Sequence, residues 1–419
     1  MLRLLFLLVS WLCINQASSA RPIPVPNQIP TDIPVSDIDF ELYTVGLGPA
    51  LYMRYGHTLL GFHVKSTGAR LIYNWGMFDF DDPLFPVHFY LGKRTYWVGQ
   101  SSLEGVVRLY RDYEDRNVWR DIINLTDMQK AKLISLVNEK LTKETMFFGY
   151  EHFERNCATI PRDLIDQSLG QALSKTLKTE DAAHNFRWYV RTHLGIVSSL
   201  GWILDIAMNS KLDRPQSKWE ESFYPIKLRE YAASLPAYND DGTPRVGESL
   251  LRFDRQLVVA SSDWFLPDPN FYIGATIFLF AASLLILFFP HSWLIGISSV
   301  MVGGVFGIIG LSMPISWLFS THFDMHHNIN MLLFFPMDLA FIFLPLWKQR
   351  SYLSKYVICH WILLAVHLVI ILFGISNQNA FRVFPIGLGY VIWMSVAGGW
   401  ISYKSRRMQL KFIWDPKRI

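Results

Sequence analysis

The sequence predicts an exported α+β domain followed by an all-α bundle of about five membrane-spanning helices. Three observations predict it: an apolar N-terminal segment of export type, an abrupt change of composition at Phe271, and the uneven placement of lysine and arginine among the later loops. Arg3 supplies a positive start, and Leu4 to Cys13 form an apolar core within the ~7–15 residues of a signal peptide. Ser18 and Ala20 are small residues suited to cleavage before Arg21. Residues 1–20 are therefore expected to direct export. Residues 21–37, "RPIPVPNQIPTDIPVSD", read as an extended proline-rich lead-in. Residues 38–250 have the mixed polar and apolar composition of a folded domain, ending in a loop over 236–250. Residues 251–270 are expected to form the connection to the membrane.

The region 271–403 contains five candidate spans: Phe271–Phe289, Trp293–Phe319, Met331–Trp347, Tyr356–Gly374 and Val383–Tyr403. Each approaches the ~17–25 residues that cross the hydrocarbon as a helix. Five spans with the N-terminal domain outside put "KQRSYLSK" and the basic tail 404–419 on the cytoplasmic side, where short loops favour Lys and Arg. The outer loops, "STHFDMHHNIN" and "GISNQNAFR", carry a single arginine. The net charge of +4 follows from this topology and gives no reason to expect nucleic acid. Asp338 is the one acidic residue well inside a predicted span.

Cysteine usage narrows the chemistry. Cys13 belongs to the signal peptide and Cys359 to the fourth span, so Cys157 is alone in the exported domain and has no intrachain disulfide partner there. A lone thiol in an oxidising compartment is either buried or used. In "FERNCATIPRDLID", Ile160, Leu164, Ile165 and Leu169 recur at helical spacing, with Pro161 acceptable in a first turn. Cys157 therefore sits at or just before a helix N-terminus, with Asn156 and Thr159 as alternative caps. The free amides and dipole there are expected to favour a thiolate and to serve an acyl oxyanion.

A thiolate nucleophile needs a base. "RYGHTLLGFHV" reads as a strand introduced by Tyr55-Gly56, with Thr58, Leu60, Phe62 and Val64 on one face and His57, Leu59, Gly61 and His63 on the other. His57 is the candidate base; His63 is about 20 Å further along the strand at ~3.3 Å per residue. "KSTG" then turns the chain into "ARLIYNWGMFDFDD", making a hairpin. A turn at Thr67-Gly68 places Met77 to Asp79 opposite His57, whereas a turn two residues earlier places Asn74 there. Asn74 and Asp79 are thus alternative groups to orient the imidazole.

A histidine on a strand, a polar residue on the next, and "NC" at a helix start resemble a circularly permuted papain-like arrangement, in which the histidine precedes the cysteine as in lecithin:retinol acyltransferase. More closely, "YGHTLLGF", "YNWGMFDF", "NCATIPRDLID" and "DRPQSKWEESFYPIKL" resemble the exported domain of the Bacteroides-type apolipoprotein N-acyltransferases, Lnb, over most of residues 38–235. "FSTHFDMHHNINMLLFFP" is similar to that family's membrane half. The resemblance implies Cys157 as nucleophile, His57 as base, and Asn74 or Asp79 as the orienting residue. It implies a phospholipid acyl donor and a diacylated lipoprotein whose N-terminal amine accepts the chain; no cofactor and no metal are expected. It further implies a multi-pass protein of the bacterial inner membrane with its catalytic domain in the periplasm.

Tyr55 and Asn156, next to the reacting pair, and His322, His326 and His327 at the outer mouth of the second and third spans are candidate substrate-binding residues. The same histidines with Asp324 are read against a metal site, because the loop lies at the outer surface where polar residues cost little. A membrane-tethered Cys–His peptidoglycan amidase or peptidase is the alternative function, and a non-catalytic transport or signalling protein the second alternative.

Overall fold

The computed structural model describes residues 23–79, 84–93, 95–194, 204–262, 271–346, 350–376, 378 and 380–413; the predicted signal peptide lies outside them. In the N-terminal domain, β1 (Ile38–Val45), β2 (His57–Val64) and β3 (Arg70–Met77) form a meander. α1 (Phe85–Tyr90) follows, then β4 (Thr95–Ser101), β5 (Val118–Ile123), α2 (Asp127–Asn138) and β6 (Phe147–Gly149). Next come α3 (Thr159–Ser168), α4 (Phe186–Leu194), α5 (Pro225–Ser234), β7 (Pro236–Tyr238), β8 (Pro244–Ser249) and β9 (Leu251–Val258). The main sheet runs β6-β4-β3-β2-β1-β5-β9, antiparallel throughout, and β7 pairs with β8 in a second, two-stranded sheet.

Alternation along the strands builds the core. Phe40, Leu42, Leu60, Phe62, Tyr73 and Trp75 face Leu133 and Val137 of α2 and Leu164 and Ile165 of α3. A fully buried apolar side chain of this size contributes roughly 1.5–3 kcal/mol. The opposite face is also covered: Leu59 packs with Tyr43, Ile72, Val106 and Tyr110. Two expectations are corrected here. Leu251–Val258, expected as the connection, is the edge strand β9 paired to β5, and residues 236–249 form the β7–β8 hairpin.

The membrane half contains α6 (Phe271–Phe288), α7 (Ser292–Phe319, with a π-helical turn over Ser299–Gly303), α8 (Arg350–Leu372) and α9 (Phe384–Ile413). Among the described residues three helices are long and apolar enough to span, within α7, α8 and α9; α6 is a shorter apolar helix. The predicted third span is no continuous helix. Pro336–Leu344 within it is bent by 49° against Phe323–Leu332, a segment that reaches back into the predicted outer loop, and the pair counts as a fourth span only if taken together. Pro336 has no amide hydrogen to donate, and the Asp338 carboxylate accepts the Phe335 amide at 2.7 Å, satisfying the backbone at the break. Asp338 also accepts the Tyr356 hydroxyl at 2.6 Å and lies 3.2 Å from His360 Nε2. That gives the buried carboxylate the partners expected of an ionisable group at membrane depth.

The two halves are stitched together. Asn209 Nδ2 donates to the Phe323 carbonyl at 2.7 Å and to that of His326 at 2.6 Å. In return, Asn328 Nδ2 donates to the Ile206 carbonyl at 2.7 Å and Asn330 Nδ2 to the same oxygen at 2.9 Å. Met325 completes the aromatic cluster of Tyr55, Phe153, Phe186, Tyr189 and Phe223.

Candidate functional site

His57 opens β2, and its ring Nε2 lies 2.7 Å from Asn74 Oδ1 on β3. Because Asn74 presents its carbonyl oxygen, Nε2 carries the hydrogen and Nδ1 is left with a lone pair, a tautomer assigned from the hydrogen-bond pattern. The hairpin register agrees with neither expected alternative. Leu60 pairs with Tyr73 and His63 with Arg70, so the register extended to His57 puts Gly76 opposite it. Asn74 reaches the ring diagonally, from two residues back on the same face. Gly76 makes this possible, because a Cβ there would lie 2.6 Å from His57 Cε1. Asp79 is exposed, two residues beyond the end of β3. Of the two candidates, Asn74 is the one bonded to His57.

Cys157 is buried just ahead of α3. Asn156 Oδ1 accepts the amides of Ala158 at 2.8 Å and Thr159 at 2.9 Å, so Asn156 caps the helix and is itself buried. Its Nδ2 donates to the carbonyls of His152 at 2.7 Å and Phe223 at 3.0 Å, which uses both ends of the amide in shaping the turn. The amide of Thr58, the residue after His57, lies close enough to the sulfur to favour its thiolate, as do its own amide and the Tyr150 hydroxyl. Nucleophile and base are thereby brought to the same end of β2. Burial pushes the Cys157 thiol up to about 11, against the opposing pull of the Thr58 amide, Arg116 and Tyr150. The helix start therefore does not yield the expected resting thiolate, since desolvation outweighs the amides. Burial likewise pushes His57 down to about 4, partly offset by its bond to Asn74. At neutral pH the resting pair is therefore thiol and neutral imidazole, with the base ready to accept.

Tyr150 and Arg116 escaped the sequence reading. Tyr150 follows the short edge strand β6 and stacks on Tyr96 with ring centroids 4.4 Å apart. Arg116 is buried, donates to the Gly46 carbonyl at 2.9 Å and to Glu114 at 2.7 Å, and its charge favours the thiolate. Neither lies in a patterned motif; the aromatic run "FFGYEHF" is the one local feature that marks the first.

The remaining candidates lie around this centre. Tyr55 is buried between the rings of His152, at 4.3 Å, and His193, at 5.2 Å. His322 approaches Glu151 Oε2 at 3.0 Å through Nδ1 and the Phe89 carbonyl at 2.9 Å through Nε2. His326 Nε2 lies 3.0 Å from the Ser320 carbonyl, and His327 is exposed beside Trp317. These rings serve different partners, and no group of three His, Cys, Asp or Glu side chains suited to a metal ion occurs among the described residues.

Family profiles match both halves of the chain: the Lnb N-terminal periplasmic domain over residues 27–191 and the Lnb transmembrane domain over residues 260–406. No match was found among curated proteins or among solved structures.

Proposed function

Given that the chain belongs to the Lnb family, we propose that it is a cysteine-dependent acyltransferase of the bacterial inner membrane. It takes a fatty acyl chain from a phospholipid and transfers it, through a thioester on Cys157, to the N-terminal amine of diacylglyceryl-cysteine lipoproteins. On this reading the exported domain is a circularly permuted papain-like thiol-hydrolase fold acting at the periplasmic face. The observation that carries the reading is the 2.7 Å contact of His57 Nε2 with Asn74 Oδ1, with the backbone amide of the next residue, Thr58, close to the Cys157 sulfur.

The chemistry follows from those groups. His57 Nδ1 takes the thiol proton as the sulfur attacks the ester carbonyl, and backbone amides beside the sulfur are available to the developing oxyanion. Collapse of the tetrahedral species breaks the C–O bond. The lysophospholipid alkoxide leaves with the proton held by His57, and the acyl chain stays as a thioester. The incoming amine attacks that thioester, His57 Nδ1 accepts a proton from it, and the C–S bond breaks to give the amide and regenerate the thiol. Desolvation around the pair suits this path, because it suppresses competing hydrolysis.

Mass spectrometry of lipoprotein N-termini tests the reading in cells. Triacylated N-termini should depend on the gene and disappear with Cys157→Ser. Unchanged N-termini together with altered muropeptides would favour the peptidoglycan amidase instead.

A further inference from the structure

Just ahead of the nucleophile the chain folds back on itself. The Glu151 amide donates to the Arg155 carbonyl at 3.0 Å, and the Arg155 amide to the Glu151 carbonyl at 2.9 Å. Tyr150 enters this bridge and Asn156-Cys157 leaves it, so the hydroxyl and the sulfur that meet each other hang from its two ends. A group that fixes Glu151 therefore fixes both.

That group comes from the other half of the molecule. His322 follows α7 in the outer loop and is 7% exposed. Its Nδ1 meets the Glu151 carboxylate at 3.0 Å and its Nε2 the Phe89 carbonyl, at the end of α1, at 2.9 Å. Both partners are acceptors. A neutral imidazole has one N–H and can satisfy only one of them; donating to both requires both nitrogens protonated. α1 is secured at the same place, with Thr321 N donating to the Leu91 carbonyl at 3.0 Å, Ser320 Oγ to that of Tyr90 at 3.1 Å and Tyr90 Oη to that of Ser312 at 2.9 Å. Gly92, at φ +64°, leaves room for this contact, because a Cβ there would collide with Thr321 Oγ1 and lie 3.2 Å from His322 Nε2.

We propose that His322 is an imidazolium clamp, a positioning residue that holds the Glu151–Arg155 loop, and through it Tyr150 and Cys157, from the outer end of the membrane bundle. The proposal deepens the acyltransferase reading and rests on it for the role of Cys157. The charged and titratable groups facing His322 are Glu151 on the catalytic loop, Asp324 on its own loop and His152; from α1 it meets the Phe89 carbonyl. Burial opposes a charge on His322, yet Glu151, Asp324 and the carbonyl together raise its pKa. A raised histidine pKa means that the clamp is complete below the ordinary value of about 6.5. It persists above that value and is lost as pH rises through the folded one.

The test uses the full chain in detergent with ¹⁵N-labelled histidine rings, the His322 signals being assigned by their loss in His322→Gln. At neutral pH both ring nitrogens should report the protonated state, and Glu151→Gln should return the ring to a neutral tautomer. A neutral His322 in the wild-type protein would overturn the clamp. Acyl-enzyme formation should slow by about tenfold in His322→Gln and in Glu151→Gln, the scale of one charge-assisted bond. The double variant should be no slower than either single one; additive losses would refute a shared action. If the wild-type protein forms no acyl-enzyme, the acyltransferase reading fails on its own. The ring signals then still decide the clamp, as does alkylation of Cys157 by iodoacetamide, which should quicken in both variants when the loop is released. Unchanged alkylation rates would count against positioning.

Discussion

Gly76→Ala is the most specific perturbation of the proposed base. A Cβ at position 76 would lie 2.6 Å from His57 Cε1, 3.3 Å from its Nε2 and 3.1 Å from Asn74 Oδ1. Carbon atoms in contact prefer about 3.5–4.0 Å, so the ring has to withdraw by roughly 1 Å. Gly76 does not occupy the left-handed region, and its backbone tolerates alanine. Withdrawal stretches the 2.7 Å bond to Asn74 beyond hydrogen-bonding range. That loss is worth about 0.5–1.5 kcal/mol net. A misplacement of about 1 Å in a reacting group costs on the order of a hundredfold in rate. The expected result is a fall of roughly 10²-fold in single-turnover acylation of Cys157, with the melting temperature nearly unchanged. Wild-type rates in Gly76→Ala would refute the placement of His57 over this strand.

Other expectations separate alternatives. Asn74→Ala should reduce turnover by about tenfold or more through loss of the fixed tautomer, whereas Asp79→Ala, altering an exposed side chain beyond β3, should leave it close to wild type. Because burial pushes the Cys157 thiol up to about 11, its alkylation by iodoacetamide should be slow at neutral pH and accelerate through an apparent pKa above the ~8.5 of a free thiol. An apparent value below that would show that amides and Arg116 outweigh burial. His57 and His193 are both pushed down to about 4 by burial. In the unfolded chain histidine takes a proton near pH ~6.5. Stability should therefore decline as pH falls from there toward about 4, whereas loss of the His322 clamp as pH rises through its raised folded pKa should erode it on the alkaline side, as urea titrations in detergent would read.

Much of the site could be read from local pattern, and what could not depends on three-dimensional context. The β2–β3 hairpin was legible because Thr58, Leu60, Phe62 and Val64 alternate, and the helix after Cys157 because Ile160, Leu164 and Ile165 recur at its period. The register was not, since Val64 to Ala69 form a turn with Gly68 at φ +74°, which centres it between the two expected positions. Asn74 and Asp79 are not separable from the sequence, because Asn74 reaches His57 diagonally over a glycine rather than directly opposite. The depth of Cys157 was illegible because desolvation comes from the whole fold, whereas a helix start is a local signal. Hydropathy located the membrane region but read through the break at Pro336, which is satisfied by a side chain two residues on. β9 reads as a connection in the sequence because, as an edge strand, it keeps Arg252 to Gln256 exposed.

The acyl-enzyme itself is the central claim. Purified wild-type protein incubated with phospholipid in detergent, without any cell-wall substrate, should gain one acyl mass on the peptide carrying Cys157. The adduct should be labile to hydroxylamine, absent from Cys157→Ser, and discharged by a diacylglyceryl peptide with a free N-terminal amine to give a triacylated product. An unmodified Cys157 after incubation with phospholipid alone, or an adduct that the amine does not discharge, would contradict the account.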